Sequence, residues 1–247
     1  MGFKIKHLFI SFLFYFVSFI HTSSSTGLFH HHHHSSTAQH STQPLNDQSL
    51  LKILARCSYD AYEMNGKFDV YDWVKVLEVY DESSGNEVGA VLYEIIQGDH
   101  TNKTILTFRG SWSVKDWLTD ATLIERADFM PYVTFAREIL CNSGADYVTG
   151  HSLGAITAEA AASWVGVEGA AFNGPGPKSS QQSKNLAGDA YDGVKFEVHL
   201  TRGDLISPFG ESLEDADETH IGTPIWHNIH FPLDAHSMRG MLLNLGC

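Results

Sequence analysis

Residues Ala145 to Gly154 read Ala-Asp-Tyr-Val-Thr-Gly-His-Ser-Leu-Gly, running from a short β-prone segment through Gly-x-Ser-x-Gly into an alanine-rich helical stretch, Ala155 to Trp164. A serine at a strand-to-helix turn sits where the backbone is crowded. Glycines at 150 and 154 keep Cβ atoms out of that crossing, while Ser152 projects its hydroxyl above the sheet. The N–H of Leu153 then points at the place where negative charge would develop on an attacked carbonyl. The pentapeptide alone is a weak signal, because glycine and serine are common in ordinary turns. Its specificity comes from the strand before it and the helix after it.

The rest of the chain repeats that alternation. An Asp at 47 precedes a helical pattern in which Leu50, Leu51, Ile53, Leu54, Cys57 and Tyr62 fall largely along one face. Val70 to Tyr80 and Val88 to Gln97 alternate apolar and polar residues around the turn-rich Ser83 to Asn86, and Lys103 to Phe108 reads as a third strand. Further β-prone runs are Tyr147 to Thr149, Gly166 to Phe172 and Val194 to Thr201, with a helical stretch at Phe135 to Leu140. Strands separated by helices imply an α/β fold with a mainly parallel central sheet flanked by helices. With 247 residues, 43% of them hydrophobic, one sizeable core is expected.

Three segments follow. Lys4 and Lys6 precede thirteen uncharged residues, Leu8 to Ile20, too few for a membrane span of about 20 residues, so residues 1–24 read as a signal peptide and the protein as secreted and extracellular. Residues 25–46 are rich in Ser, Thr, Gln and His and read as a flexible arm, unable to bury enough surface to offset its ordering entropy. Within it, His30 to His34 has no fixed ligand geometry, so no metal role is assigned. Residues 47–247 are left as the catalytic domain. The balance of 16 Lys and Arg against 29 Asp and Glu, a formal charge of −13, argues against nucleic acid as a partner and gives no pull toward anionic lipid. A neutral lipid interface could still be met transiently through an apolar patch.

A serine hydroxyl needs an imidazole base, and the base needs a carboxylate to fix its tautomer. In a fold with this turn the order along the chain is serine, acid, histidine. Asp204 lies just past the β-prone run that ends near Thr201, where such an acid belongs, whereas Asp189, Asp192, Asp215 and Asp217 sit in polar loop sequence. Four histidines follow it: His220, His227, His230 and His236. His151, beside the serine, is expected to point away from it and to pack or hydrogen-bond behind the sheet.

Taken together these stretches resemble the class 3, or fungal-type, triacylglycerol lipases, a family that includes feruloyl-esterase-like members. The likeness runs from about Leu50 to Cys247. It is carried by Leu106-Thr107-Phe108-Arg109-Gly110-Ser111-Trp112 and the residues to Asp120, by Gly-His-Ser-Leu-Gly, by Ala171-Phe172-Asn173-Gly174-Pro175, by Gly203 to Pro208, by Thr219-His220-Ile221-Gly222, and by Leu233-Asp234-Ala235-His236-Ser237. In the last stretch Ala235 separates Asp from His and no Tyr follows, unlike the family's Asp-His-x-x-Tyr. The resemblance implies an α/β-hydrolase fold and ester cleavage by Ser152 with Asp204 as acid and His236 as base, His220 being structural. It also implies Ser111 as the second oxyanion donor beside Leu153, a lid segment that mixes Trp112, Val114, Trp117 and Leu118 with Lys115, Asp116 and Asp120, and a disulfide joining Cys57 to Cys247, with Cys141 left as a buried thiol after a helix. No cofactor is required.

The implied substrate is a neutral acylglycerol, with soluble aromatic esters of the feruloyl type second. Two readings from other classes compete. One is a catalytically silent binding protein on the same fold, which an intact Ser, Asp and His set disfavours. The other is a His-rich metal binder, which would leave the globular remainder idle.

Overall fold

The computed structural model describes residues 50–63, 73–80, 89–110, 130–177, 195–204, 220–228 and 235–247, all within the unit Thr42–Cys247. The expected signal peptide and arm, the turn at 83–86, Ser111, and the lid residues Trp112, Val114, Trp117 and Leu118 lie outside the described residues.

Among those residues the elements are α1 (Leu50–Asp60), β1 (Val74–Tyr80), β2 (Ala90–Ile95), β3 (Thr104–Phe108), α2 (Met130–Ser143), β4 (Tyr147–His151), α3 (Leu153–Val165), β5 (Glu168–Phe172), β6 (Phe196–Thr201), β7 (Thr223–His227) and α4 (Met238–Asn244). The seven strands form one sheet in chain order. β1 and β3 each pair antiparallel with β2, and every pairing from β3 to β7 is parallel. The protein is thus an α/β fold with a mostly parallel sheet flanked by helices.

Side-chain alternation divides the core into two layers. Ala90, Leu92, Leu106, Phe108, Val148 and Ala171 meet Val133, Ala136, Ile139 and Leu140 of α2 and the alanines of α3 on one face. Val91, Tyr93, Ile95, Ile105, Ala170 and Phe172 meet Ile53, Leu54 and Cys57 of α1 and Met238 and Met241 of α4 on the other. The connections β3–α2–β4 and β4–α3–β5 join neighbouring parallel strands in one direction, and right-handed crossovers of that kind place their helices on the same face. The opposite face is covered by α1, which precedes the sheet in sequence, and α4, which follows it. Residues Leu153 to Ser163 of α3 are all buried, which its run of alanines permits by letting it approach both the sheet and α2.

The edge strand β7 lies outside the β-prone runs read from the sequence; among the described residues it pairs with β6 on one side only, where the missing backbone donor of Pro224 is tolerated. The bridge expected between Cys57 and Cys247 is not formed, both being free thiols. Cys57 points into the core, where burial followed by the charge of Asp60 pushes its thiol up. The Cys247 thiol lies instead beside Arg56, about 100° around the helix from position 57. Facing different sides of α1, the two sulfurs are not placed to join. Cys141, expected as a buried thiol after a helix, is instead exposed and lies within α2, off the face that Val133, Ala136, Ile139 and Leu140 bury.

Candidate active site

Ser152 follows the last residue of β4 and forms the N-cap of α3 with φ 58° and ψ −123°, a left-handed φ that a non-glycine residue adopts only under strain. Its hydroxyl makes no capping bond to the helix, which leaves it available for another partner. The crowding expected of the turn is present. A Cβ on Gly150 would lie 2.2 Å from the Gly154 carbonyl oxygen, and one on Gly154 would lie 2.2 Å from the Phe108 carbonyl oxygen. Both glycines are therefore required by the close passage of the turn against itself and against the end of β3. The Ser152 N–H donates to the Phe172 carbonyl at 3.0 Å, tying the turn to β5. Leu153 is the first residue of α3, so its N–H has no intrahelical acceptor and sits at the positive end of the helix dipole.

Two residues distant in sequence extend a hydrogen-bonded chain from this hydroxyl. His236 Nε2 lies 2.9 Å from Ser152 Oγ. Its Nδ1 lies 2.9 and 3.1 Å from the two carboxylate oxygens of Asp204. Asp204 follows β6 in a turn closed by its own N–H on the Thr201 carbonyl at 3.1 Å and by Gly203 at φ 85°. Its side chain is fully buried, while that of His236 is 27% exposed. With Nδ1–H donating to the carboxylate, Nε2 is the basic nitrogen and can receive the serine proton.

The other histidines are placed elsewhere. His220 donates through Nδ1 to Glu159 Oε2 at 2.9 Å, and the second oxygen of that carboxylate accepts the N–H groups of Ile221 and Gly222, the latter at 2.9 Å. Both side chains are buried, so the pair staples α3 to the segment entering β7. His227 lies on β7 and stacks on His199 of β6, with His227 Nε2 2.8 Å from His199 Nδ1. His199 is held down to about 4, chiefly by burial and then by His227. Its 3.2 Å contact with Glu197 is accordingly a hydrogen bond of the neutral ring at neutral pH. His230 lies outside the described residues.

His151, expected to point away from Ser152 and to pack or hydrogen-bond behind the sheet, is buried and hydrogen-bonded but lies beside the base: its ring centroid is 4.9 Å from that of His236, and its Nε2 lies 2.6 Å from the His236 carbonyl oxygen. Strand alternation explains this. Thr149 and His151 face the α1 side, where Ser58 bonds Thr149 at 2.9 Å, and both the end of α1 and the loop entering α4 close over that side. Tyr62, read from sequence as part of the apolar face of α1, lies in the following 3₁₀ turn with its hydroxyl 2.6 Å from His151 Nδ1. Asn173 was also missed as a site residue; fully buried after β5, it bonds the Ala235 carbonyl and the Thr201 N–H. Only its place in Ala-Phe-Asn-Gly-Pro hinted at this.

No group of three or more His, Cys, Asp or Glu side chains suited to a metal ion occurs among the described residues. No protein-family model matches the chain, and no curated protein matches it.

Proposed function

We propose that the protein is a serine hydrolase of the α/β-hydrolase class that cleaves carboxylic esters through an acyl-enzyme on Ser152. The observation that carries this reading is the continuous chain Ser152 Oγ, His236 Nε2, His236 Nδ1 and Asp204 carboxylate, with 2.9 Å at each junction. A structural serine at an N-cap would spend its hydroxyl on the helix; this one is turned to an imidazole.

In the reaction His236 Nε2 takes the hydroxyl proton as Ser152 Oγ attacks the ester carbonyl. The imidazolium so formed is stabilised by the buried Asp204 carboxylate, which holds the tautomer and is not itself protonated. The oxyanion accepts the Leu153 N–H, and by the family resemblance Ser111 supplies the second donor; losing one such donor typically costs about 10²- to 10³-fold in rate. His236 then returns its proton to the departing alkoxide and leaves the acyl group on Ser152. Water, deprotonated by His236, attacks that acyl carbonyl; the bond to Ser152 Oγ then breaks, Oγ takes the proton back from His236, and the acid leaves.

Within this class the reading is an exported lipase similar to the class 3 family, acting on neutral acylglycerols. Export rests on the layout of residues 1–24, and the lipid substrate on the resemblance from Leu50 onward. A fluorophosphonate probe tests the reaction class. Stoichiometric labelling that maps to Ser152 and disappears in Ser152→Ala supports it, whereas an unlabelled native protein would overturn it.

A further inference from the structure

Two consecutive carbonyls of the loop that carries His236 are each held by a buried side chain at the end of a sheet strand. Asn173, after β5, donates its amide N–H to the Ala235 carbonyl at 3.1 Å. His151, at the end of β4, donates from Nε2 to the His236 carbonyl at 2.6 Å. Both holders are themselves fixed. Asn173 Oδ1 accepts the Thr201 N–H at 2.9 Å, three residues before Asp204, and its own backbone N–H reaches the His199 carbonyl at 2.9 Å. Asn173 keeps a left-handed φ of 47° to do so, a conformation asparagine tolerates better than most side chains.

On the other side, a carbonyl can only accept, so the His151 proton sits on Nε2. Burial and then the neighbouring His236 push His151 down to about 3, keeping the ring neutral, so its Nδ1 accepts the Tyr62 hydroxyl. That hydroxyl stands against Gly110: a Cβ there would lie 2.3 Å from it and 2.9 Å from Ser152 Cβ. Tyr62, Gly110 and Ser152 therefore meet at one point.

We propose that Asn173 and His151, the latter backed by Tyr62, form a two-point clamp on the main chain of residues 235 and 236 that sets the base against both Ser152 and Asp204. The inference rests on the reading of Ser152, His236 and Asp204 as a catalytic set and makes the three new residues positioning residues within it. The physical reason lies in the exposure of the base. With 27% of the His236 side chain exposed, packing on the ring alone supplies limited restraint, yet its two nitrogens must each hold a 2.9 Å contact. Fixing the peptide supplies the remaining restraint, and an error of about 1 Å at such a site can cost on the order of 10²-fold in rate. Because Asn173 also grips the strand that leads to Asp204, movement of the acid and of the base is coupled through one side chain.

The test uses the full chain with Asn173→Gly, His151→Leu, His151→Gln, Tyr62→Phe and the double variant Asn173→Gly/His151→Leu. Asn173→Gly keeps the left-handed backbone and removes only the amide; Asn173→Asp, which keeps the acceptor and loses the donor, replaces it should it fail to fold. Two readouts are taken: kcat and KM on a soluble p-nitrophenyl ester, and the ¹⁵N and ¹H imidazole resonances of His236, which report its bond to Asp204 without turnover. Asn173→Gly and His151→Leu should each lower kcat about 10- to 100-fold with KM held within about twofold, and should shift the His236 resonances. His151→Gln retains an N–H donor and should recover much of the loss. Tyr62→Phe should give a weaker form of the His151→Leu effect, and the double variant should lose less than the product of the singles.

Unmoved His236 resonances in both single variants, or His151→Gln as impaired as His151→Leu, would overturn the clamp even if esters are hydrolysed normally. Shifted resonances in a protein that hydrolyses no ester would uphold the clamp and sink the hydrolase reading.

Discussion

His236 Nε2 stands 2.9 Å from Ser152 Oγ, and the two residues are 84 positions apart in sequence. Between them the chain lays down β5, β6 and β7, so the contact exists only once the parallel sheet is complete.

Removal of His236 should therefore separate catalysis from folding. His236→Ala is expected to lower turnover by several orders of magnitude, because the serine loses its only base, while its melting temperature stays close to that of the parent. His220→Ala should do the reverse. It strips a buried partner from Glu159, at a cost of about 1–3 kcal/mol, and leaves measurable turnover. Kinetics and thermal melts of the two variants side by side decide between the histidines.

The strained turn makes a prediction of opposite sign. Ser152→Gly and Ser152→Ala both abolish the nucleophile, but only glycine adopts φ 58° without strain. Ser152→Gly should melt higher than Ser152→Ala, by an amount corresponding to about 1 kcal/mol. Gly154→Ala should fold poorly or not at all, because its Cβ would sit 2.2 Å from a backbone oxygen that cannot give way. Equal melting of the two Ser152 variants would contradict the strain.

Acid should destabilise the fold through buried histidines. His151 and His199 titrate at about 3 and about 4 in the folded protein, each lowered first by burial, against about 6.5 unfolded. Between these values the unfolded chain binds more protons, so stability present above pH 6.5 is lost as pH falls, by up to about 1.4 kcal/mol per pH unit for each histidine. His227, also lowered by burial, acts in the same direction. His199→Gln should accordingly show a shallower decline of melting temperature between about pH 6.5 and 4. Parallel declines in parent and variant would count against a neutral buried His199.

The lid expectation concerns residues outside those described and is tested by substrate form. Trp117→Ala should weaken hydrolysis of emulsified esters more than of soluble ones, since Val114, Trp117 and Leu118 share a helical face. Equal loss on both would favour a plain soluble-ester hydrolase.

The alternation of strands and helices was legible because both layers of the core come from short-range periodicity, and six of the seven strands fall within the runs read from sequence or overlap them. The positions of Ser152 and Asp204 were legible for a related reason, each being set by the end of one strand. His236 was chosen among four histidines by its order after Asp204, its place before the apolar stretch Met238 to Leu245 and likeness to a family, since no local pattern records which loop returns to the first turn. Tyr62, His151 and Asn173 illustrate the same limit. Their partners lie 89, 85 and 62 positions away, and a tyrosine at helical spacing looks like core until the sheet brings an imidazole to it. The cysteines misled because their pairing was carried over from the family resemblance, whereas facing on α1 decides it.

The central claim is that Ser152 carries an acyl group during turnover, and it is read most directly by rapid acid quench of the protein mixed with a p-nitrophenyl ester, followed by mass spectrometry. The account predicts an adduct of the acyl mass on the peptide containing Ser152 in the parent, strongly diminished in His236→Ala and absent in Ser152→Ala. Ester hydrolysis that persists in Ser152→Ala, or an acyl adduct mapping to another residue, would contradict it.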